Sequence, residues 1–266
     1  MFTVKGSGFL KSWQPKSYSL KLKLRGFPVI SGLIISLFIL TAIFGQALAP
    51  YSATEPNLPN KFLPPFFQAN GSMVHPLGTD MLGRDILSRI MVGARPSLII
   101  AIMVVVLGGL GGSALGIISG YHGGKVDMLL MRAADATLSF PIILVAILLA
   151  ITLGPSIQNV IIAISIIIWS RYARVIRGEV LSVKERDFVA MARVAGASGS
   201  RIMLKHIFPN VVHTLLVMVT LQVGAIIIME ATLSFLGAGV PPPEPVWGSM
   251  ISEGRRYIAA EWWISF

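Results

Sequence analysis

The sequence contains no cysteine and few charged residues. Without cysteine the chain cannot form disulfides, thiolate metal sites or a cysteine nucleophile. Charged residues make up 13% of the 266 positions, whereas an ordinary soluble domain has about 25%. This low content excludes an ordinary soluble protein.

Catalytic and metal-binding motifs are missing as well. The four histidines lack the spacing of metal ligands, and no serine stands in a Gly-x-Ser-x-Gly elbow. The glycines before Lys125 lack the first glycine and the final Ser or Thr of a phosphate-binding loop. We therefore predict that this chain is not an enzyme, and that it has no catalytic residue, ATP-binding motif, metal or cofactor of its own.

What the sequence has in place of these motifs is long apolar runs. Hydrophobic residues make up 54% of the chain, and runs of about 20 of them can cross a bilayer core of roughly 30 Å. Alternating segments of about ten residues, typical of a membrane barrel, are absent. The net charge of +10 does not indicate nucleic-acid binding, because the basic residues stand beside apolar runs. We predict an all-α, polytopic transmembrane helical bundle.

Five full spans and the start of a truncated sixth are predicted. The first helix is assigned to residues 28–49, and the others to about 97–119, 138–153, 157–169 and 211–236. The aromatic "WWISF" at the end is typical of a membrane interface and would open the sixth span. The "ALA" before Pro50 resembles a signal-peptide cleavage site, but the apolar run is too long for one, so a retained helix is favoured.

Charge predicts the orientation of these spans. Residues 1–27 hold six basic and no acidic residues, and residues 170–210 hold eight basic and three acidic. Since basic segments stay in the cytoplasm, both are placed there. The chain then divides into a cytoplasmic N-terminus at 1–27, the first helix at 28–49, an extracytoplasmic segment at 50–95 and a transmembrane core at 96–266, with a cytoplasmic loop at about 177–210.

The segment "DFVAMARVAGASGSRIMLKHIFPN", residues 187–210, predicts a hairpin of two short helices. Gly196 would take a left-handed cap, Ser198 or Ser200 would cap the second helix, and Pro209 would start the next element. The apolar face has Phe188, Met191, Ala192 and Ala195 on the first helix and Ile202 on the second. The rim is basic, with Arg193, Arg201 and Lys205. These residues alone favour a docking surface and a loop on lipid headgroups equally.

Two other features concern the membrane core and its outer side. Gly108, Gly112, Gly116 and Gly120 recur every four residues and predict a helix-packing seam. Glu230 lies within an apolar span, where an ionisable side chain is costly. A buried structural or subunit contact, a place on a path across the membrane and a hydrated position near the outer surface all remain open for it.

The motif "GTDMLGRD" at 78–85 predicts a structural motif outside the membrane. It would be held by its own caps, turn and ion pair, and we call it the knot. It offers caps at Thr79 and Asp80, a turn at Gly83, and an arginine, Arg84, that can pair with Asp80 or Asp85. The residues of this predicted knot are Gly78, Thr79, Asp80, Gly83, Arg84 and Asp85.

The hairpin segment resembles the cytoplasmic signature loop of ABC importer permeases, which reads E-A-A, three residues, glycine, nine residues and I-x-L-P. The positions that match this pattern are Ala192, Gly196 and Pro209, while Ala190 stands where the signature has glutamate. The resemblance implies that the loop couples to an ATPase. The residues it assigns to this coupling are Phe188, Ala190, Met191, Ala192, Arg193, Gly196, Ala197, Ser198, Arg201 and Pro209.

Three longer blocks, at 75–98, 123–141 and 230–255, are similar to peptide and nickel importer permeases, in particular to the second permease subunit of dipeptide and oligopeptide systems. The resemblance implies a permease subunit that forms half of a translocation path in the inner membrane. Implied partners are a homologous permease, two ABC ATPase subunits that bind ATP and Mg²⁺, an extracytoplasmic solute-binding protein and lipid, but no nucleic acid. Nickel or another small solute, and an ATPase-independent channel or scaffold, stay open as alternatives.

Overall fold

The computed structural model describes residues 29–265, so the predicted cytoplasmic N-terminus at 1–27 lies outside the described residues. The described part is helical and contains no β-strand, only one isolated bridge between Thr79 and Asp85. The all-α prediction is therefore confirmed. The helices are α1 Val29–Leu48, α2 Ile86–Val104, α3 Gly111–His122, α4 Gly124–Leu138, α5 Ile142–Leu153, α6 Ile157–Val183, α7 Asp187–Val194, α8 Gly199–Ile202, α9 Phe208–Phe235 and α10 Trp247–Gly254.

Four helical stretches of the described chain are long and apolar enough to cross a membrane. They are Val29–Leu48, Ile86–His122, Ile157–Val183 and Gly199–Phe235. The second and fourth are continuous because π-turns, at Val105–Leu110 and Met203–Ile207, join α2 to α3 and α8 to α9.

The third predicted span, at about 138–153, contains α5, which forms a bent pair with α4. The axes of α4 and α5 differ by 90°, and the pair adds a fifth span if it is counted as one. The bend falls at Phe140 and Pro141, because the residue before a proline is disfavoured in the α conformation. With 12 residues, α5 is about 18 Å long and is shorter than the bilayer core.

The helices extend further than the predicted spans at several ends. The second helix begins at Ile86 rather than near 97, and α6 continues past 169 to Val183. Hydropathy ends a span at the first charges, whereas a helix continues where those charges find partners. Arg89 and Arg177 lie in these extensions and bind Asp80 and Asp127 respectively.

The predicted glycine seam is confirmed. Gly108, Gly112, Gly116 and Gly120 are buried against α6. A Cβ atom at Gly116 would lie 2.5 Å from the carbonyl oxygen of Ala173, which is closer than atoms can approach. The absence of side chains at these four positions lets the two backbones pack directly.

The bundle has two polar ends. At the α10 end, α10 and the segment at 49–85 pack on the start of α2, and the indole nitrogen of Trp247 donates to the carbonyl of Ile90 at 3.0 Å. At the hairpin end, α7 and α8 lie beside the ends of α3 and α6, and Lys184 donates to the carbonyl of Gly120 at 3.0 Å. Between them, Tyr172, Ile164 and their neighbours form the core.

The "WWISF" stretch lies at the α10 end. Trp262–Ile264 forms a 3₁₀ turn, in which Trp263 and Ile264 are buried against Ile86. The described residues of this stretch therefore pack on α2, and a sixth span starting here stays a prediction.

Candidate functional site

The hairpin is formed by α7, the turn at 195–198 and α8. Gly196 has a φ of +75°, and its N–H donates to the carbonyl of Arg193 at 3.0 Å while Ala197 N–H donates to Ala192 at 3.0 Å. These two bonds define a Schellman motif, so the predicted left-handed cap is confirmed. A Cβ atom at Gly196 would meet no neighbouring atom, so it is the backbone conformation that requires glycine.

The second half of the hairpin leads directly into the membrane. Ser198, rather than Ser200, caps α8 by accepting from the N–H of Arg201 at 3.4 Å. From Gly199 the helix runs without a break to Phe235, a stretch of 37 residues. Pro209 is near the start of α9, directly after the π-turn, where the altered hydrogen-bonding pattern accommodates its missing N–H. The predicted second short helix is thus the first turn of the last described span.

The hairpin has two apolar faces. One of them packs against the rest of this chain, and the other is exposed. Val189, Ala192 and Ile202 are buried in the core, whereas Met191 is 65% and Val194 is 91% exposed. The assignment of Ile202 to a docking face is therefore wrong, because its side chain is already enclosed. Sequence periodicity reveals an apolar stripe but not which neighbour covers it.

The remaining predicted docking residues lie between these faces or on the rim. Phe188 is half-buried, with its ring centroid 6.5 Å from that of His206, and Ala190 is exposed. The guanidinium carbon of Arg193 lies 5.7 Å from the centroid of the Tyr121 ring, a cation–π distance that attaches the hairpin to the end of α3. Arg201 and Lys205 are exposed beside it, so the rim is basic as predicted.

An ion pair that the sequence reasoning missed supports the base of the hairpin. Asp127 of α4 accepts from Arg177 of α6 through two bonds, of 2.9 and 2.6 Å, and Ser119 donates to the same carboxylate at 2.5 Å. Arg174 and Asp135 form a second, exposed pair between the same helices. Arginines at 171, 174 and 177 on an otherwise apolar helix were the signal that could have predicted such partners.

The predicted knot at 78–85 is a buried charge network. The Asp80 carboxylate accepts from Arg84 Nε at 2.7 Å and from Arg89 at 2.5 Å. Glu253 of α10 accepts from the same two arginines at 2.9 and 2.8 Å. Of the two predicted partners, Arg84 thus binds Asp80 and not Asp85. The network attaches the segment at 49–85 and α2 to α10.

The caps of this knot differ from the prediction. Neither Thr79 nor Asp80 caps a helix, because Asp85 is the N-cap of α2 and accepts from Ser88 N–H at 2.8 Å. Asp85 also binds His75 at 3.0 Å, while Thr79 accepts from Leu63 N–H at 2.8 Å. Two turns use left-handed glycines, Gly78 at φ +79° and Gly83 at φ +73°. Asp80 lies four residues before Arg84 and Asp85 one residue after it, so sequence spacing did not distinguish their roles.

Glu230 is enclosed between two helices of this chain. It is 1% exposed, and its Oε1 accepts from Ser234 Oγ at 2.6 Å. A Cβ atom at Gly248 of α10 would lie 3.0 Å from Oε2, so α10 covers the carboxyl group directly. Of the three roles left open for Glu230, this placement favours the structural contact, which stays a prediction.

Comparison with known proteins finds similarity over most of the chain. Residues 112–264 match the family described as binding-protein-dependent transport system inner membrane component. Residues 23–65 match the N-terminal transmembrane domain of oligopeptide transport permease C.

Individual relatives are similar over most of their length. The dipeptide transport system permease protein DppC of Alkalihalophilus pseudofirmus is 40% identical, over 92% of this chain and 79% of that protein. The oligopeptide transport system permease protein OppC of Bacillus subtilis is 41% identical, over 94% and 80%. The probable D,D-dipeptide transport system permease protein DdpC of Escherichia coli is 38% identical, over 90% and 79%.

The family model matches more than half of the chain. The chain also has several helices that are long and apolar enough to cross a membrane, as a multi-pass membrane protein has. The chain therefore belongs to the inner-membrane permease subunits of binding-protein-dependent ABC importers.

Proposed function

We propose that this chain is one of two permease subunits of an ATP-driven importer of dipeptides and oligopeptides. A homologous permease completes the path, two cytoplasmic ATPase subunits bind ATP and Mg²⁺, and an extracytoplasmic binding protein delivers the peptide. The peptide class is supported by the relatives, whose names specify dipeptide and oligopeptide transport. The absence of catalytic motifs from the sequence supports placing ATP hydrolysis on partner subunits.

The orientation we propose places the hairpin end in the cytoplasm. The basic rim formed by Arg193, Arg201 and Lys205 supports this side, since positive charge is retained in the cytoplasm. The α10 end, with the segment at 49–85, then lies outside.

The observation that carries the coupling role is the continuous helix Gly199–Phe235, which leads from the hairpin through the membrane. An ATPase that contacts Met191 and Val194 on the exposed face of α7 would move α7. The Schellman turn would transmit that displacement to α8 and α9, since its two hydrogen bonds hold Gly196 and Ala197 against the end of α7. The last span would tilt as a rigid body and alternate access to the path.

Replacing Gly196 with valine tests this role. A β-branched residue is strained at a φ of +75° by about 1–3 kcal/mol, so the turn should open and ATP hydrolysis should continue without uptake. The measurement is peptide imported per ATP hydrolysed in proteoliposomes that hold the complete transporter, with the amount of inserted permease quantified.

Two variants control for the change in size. Gly178→Val adds the same side chain on exposed α6 surface, where no atom is near and φ is helical, and should transport normally. Gly196→Asn should retain coupling, because asparagine tolerates the left-handed conformation. Wild-type coupling in Gly196→Val would contradict the proposed role of the hairpin.

A further inference from the structure

A cavity of about 410 Å³ opens at the α10 end of the molecule. It lies between the end of α1, the first turns of α2, the start of α6 and the proline-rich segment before α10. Its volume is within the range of about 300–1,000 Å³ that small-ligand sites occupy. Most of its wall is apolar, with Val92, Pro96, Ile99 and Pro245 among the lining residues. No role has been assigned to this cavity so far.

Two opposite charges line the cavity without pairing. Arg95 extends from α2 and Glu244 from the proline-rich segment, and both are exposed. Neither side chain has an ion pair or hydrogen bond among residues 29–265. By contrast, Arg89, six residues earlier on α2, and Arg84, just before α2, both bind Asp80 and Glu253.

Two contacts attach the segment before α10 to the part of α2 that carries Arg95. On one side of Arg95, Gly93 packs against Pro245, whose carbonyl oxygen would lie 3.1 Å from a Cβ atom at this glycine. On the other side, the N–H of Trp247 donates to Ser97 Oγ at 3.4 Å. The segment that carries Glu244 is therefore attached to the helix that carries Arg95. The cavity between them is thus a fixed part of the fold.

We propose that this cavity binds a short zwitterionic peptide at the outer face, with Arg95 on its C-terminal carboxylate and Glu244 on its N-terminal ammonium. The inference rests on the proposed peptide-import function and adds a binding site to it. A guanidinium binds a carboxylate through two parallel hydrogen bonds. Such a peptide carries one charge at each end, so its site needs two opposite charges that do not neutralise each other.

The rest of the lining fits the same ligand. Gln46 and Thr54 supply neutral hydrogen-bonding groups for the peptide backbone. The apolar wall can contact peptide side chains of different shape, because apolar contacts need no specific hydrogen-bonding partner. A site that recognises both termini and leaves the side chains unselected suits a transporter of varied short peptides.

The complete transporter in proteoliposomes, supplied with binding protein loaded with trialanine, tests the site. Arg95→Gln and Glu244→Gln should each lower the peptide imported per ATP hydrolysed by about tenfold, as expected when a charge-assisted bond to a ligand is lost. Lys61→Gln and Glu261→Gln remove the same charges at the same end but outside the cavity. These two controls should behave as wild type.

A direct binding measurement distinguishes binding of the peptide to the cavity from docking of the binding protein. Purified transporter without binding protein should bind trialanine more tightly than its C-terminal amide, and Arg95→Gln should lose that preference. If the variants instead need only more loaded binding protein for half-maximal ATPase activity, with an unchanged import ratio, the cavity rim is a protein-docking contact and the proposal is overturned. Variants that match the controls would overturn it as well.

The proposed function fails in a different way. A wild-type transporter that hydrolyses ATP but imports no trialanine would overturn peptide import, and this inference with it. Wild-type import together with normal Arg95 and Glu244 variants would overturn the site alone.

Discussion

At the α10 end the central charges are buried and paired, whereas at the hairpin end most charges are exposed. Asp80, Arg84 and Arg89 are each at most 3% exposed and bind across two elements. By contrast, the hairpin presents an exposed basic rim, and only Arg193 among its rim residues has an aromatic neighbour. Charged residues thus stabilise the α10 end through buried ion pairs. At the hairpin end they stay exposed, where a partner could contact them.

The two ends also differ in how they are connected to the core. The α10 end is held by contacts between residues far apart in sequence, such as Arg89 and Glu253 with a separation of 164 positions. The hairpin is shaped by the local turn at Gly196 and attached through Tyr121. We therefore expect substitutions at the α10 end to affect stability first, and substitutions at the hairpin to affect coupling first.

The largest effect on stability is expected from Asp80→Ala. This change leaves Arg84 and Arg89 buried with one shared carboxylate, and loss of one partner from a buried ion network costs about 3–5 kcal/mol. The measurement is the thermal unfolding midpoint of the purified permease in detergent. Asp135→Ala is the matched control, because this carboxylate belongs to an exposed pair at the other end and should cost only about 0–1 kcal/mol. Equal losses in both variants would remove the contrast between the two ends.

An intermediate effect is expected from Asp127→Ala at the base of the hairpin. Arg177 loses two bonds, but its side chain is 33% exposed and water can replace part of the interaction. The expected cost is about 1–2 kcal/mol, again as a shift of the unfolding midpoint. Because α4 then loses one of its two ion pairs with α6, ATPase coupling should weaken as well. A loss as large as that of Asp80→Ala would show that both ends depend on buried charge to the same degree.

The smallest effect on stability is expected from Met191→Ser and Val194→Ser on α7. Both side chains are exposed, so unfolding should change by less than about 0.5 kcal/mol. Binding of the purified ATPase subunits, measured by co-purification, should nevertheless fall, since these two residues form the uncovered apolar face. Ala192→Ser is the contrasting variant, because its side chain packs in the core and the change should destabilise the permease. Unchanged ATPase binding in Met191→Ser and Val194→Ser would place the docking surface elsewhere.

Much of the fold was predictable because it depends on local patterns. Apolar runs located the membrane helices, and the four-residue glycine spacing located the seam between α3 and α6. The ends of the spans were less accurate, because hydropathy treats Arg89 and Arg177 as breaks. Their partners, Asp80 and Asp127, lie on other elements and allow the helices to continue.

The candidate sites show the same division. The turn at Gly196 and the cap at Ser198 follow from conformational preferences within a few residues. Which apolar stripe of α7 is covered could not be predicted, since Val189 and Met191 are equally apolar and only the position of the core distinguishes them. The cavity with Arg95 and Glu244 was missed entirely, because these residues are distant in sequence and neither belongs to a motif.

By itself the sequence determined the all-α membrane character, the glycine seam and the left-handed turn of the hairpin. Each depends on residue type and short-range spacing, which act before any long-range contact forms. Only the tertiary structure decided that Arg84 binds Asp80 and Glu253, that Ile202 is buried while Val194 is exposed, and that Arg95 and Glu244 face one cavity. These outcomes depend on how distant elements pack, because burial and charge pairing are set by neighbours in space rather than in sequence.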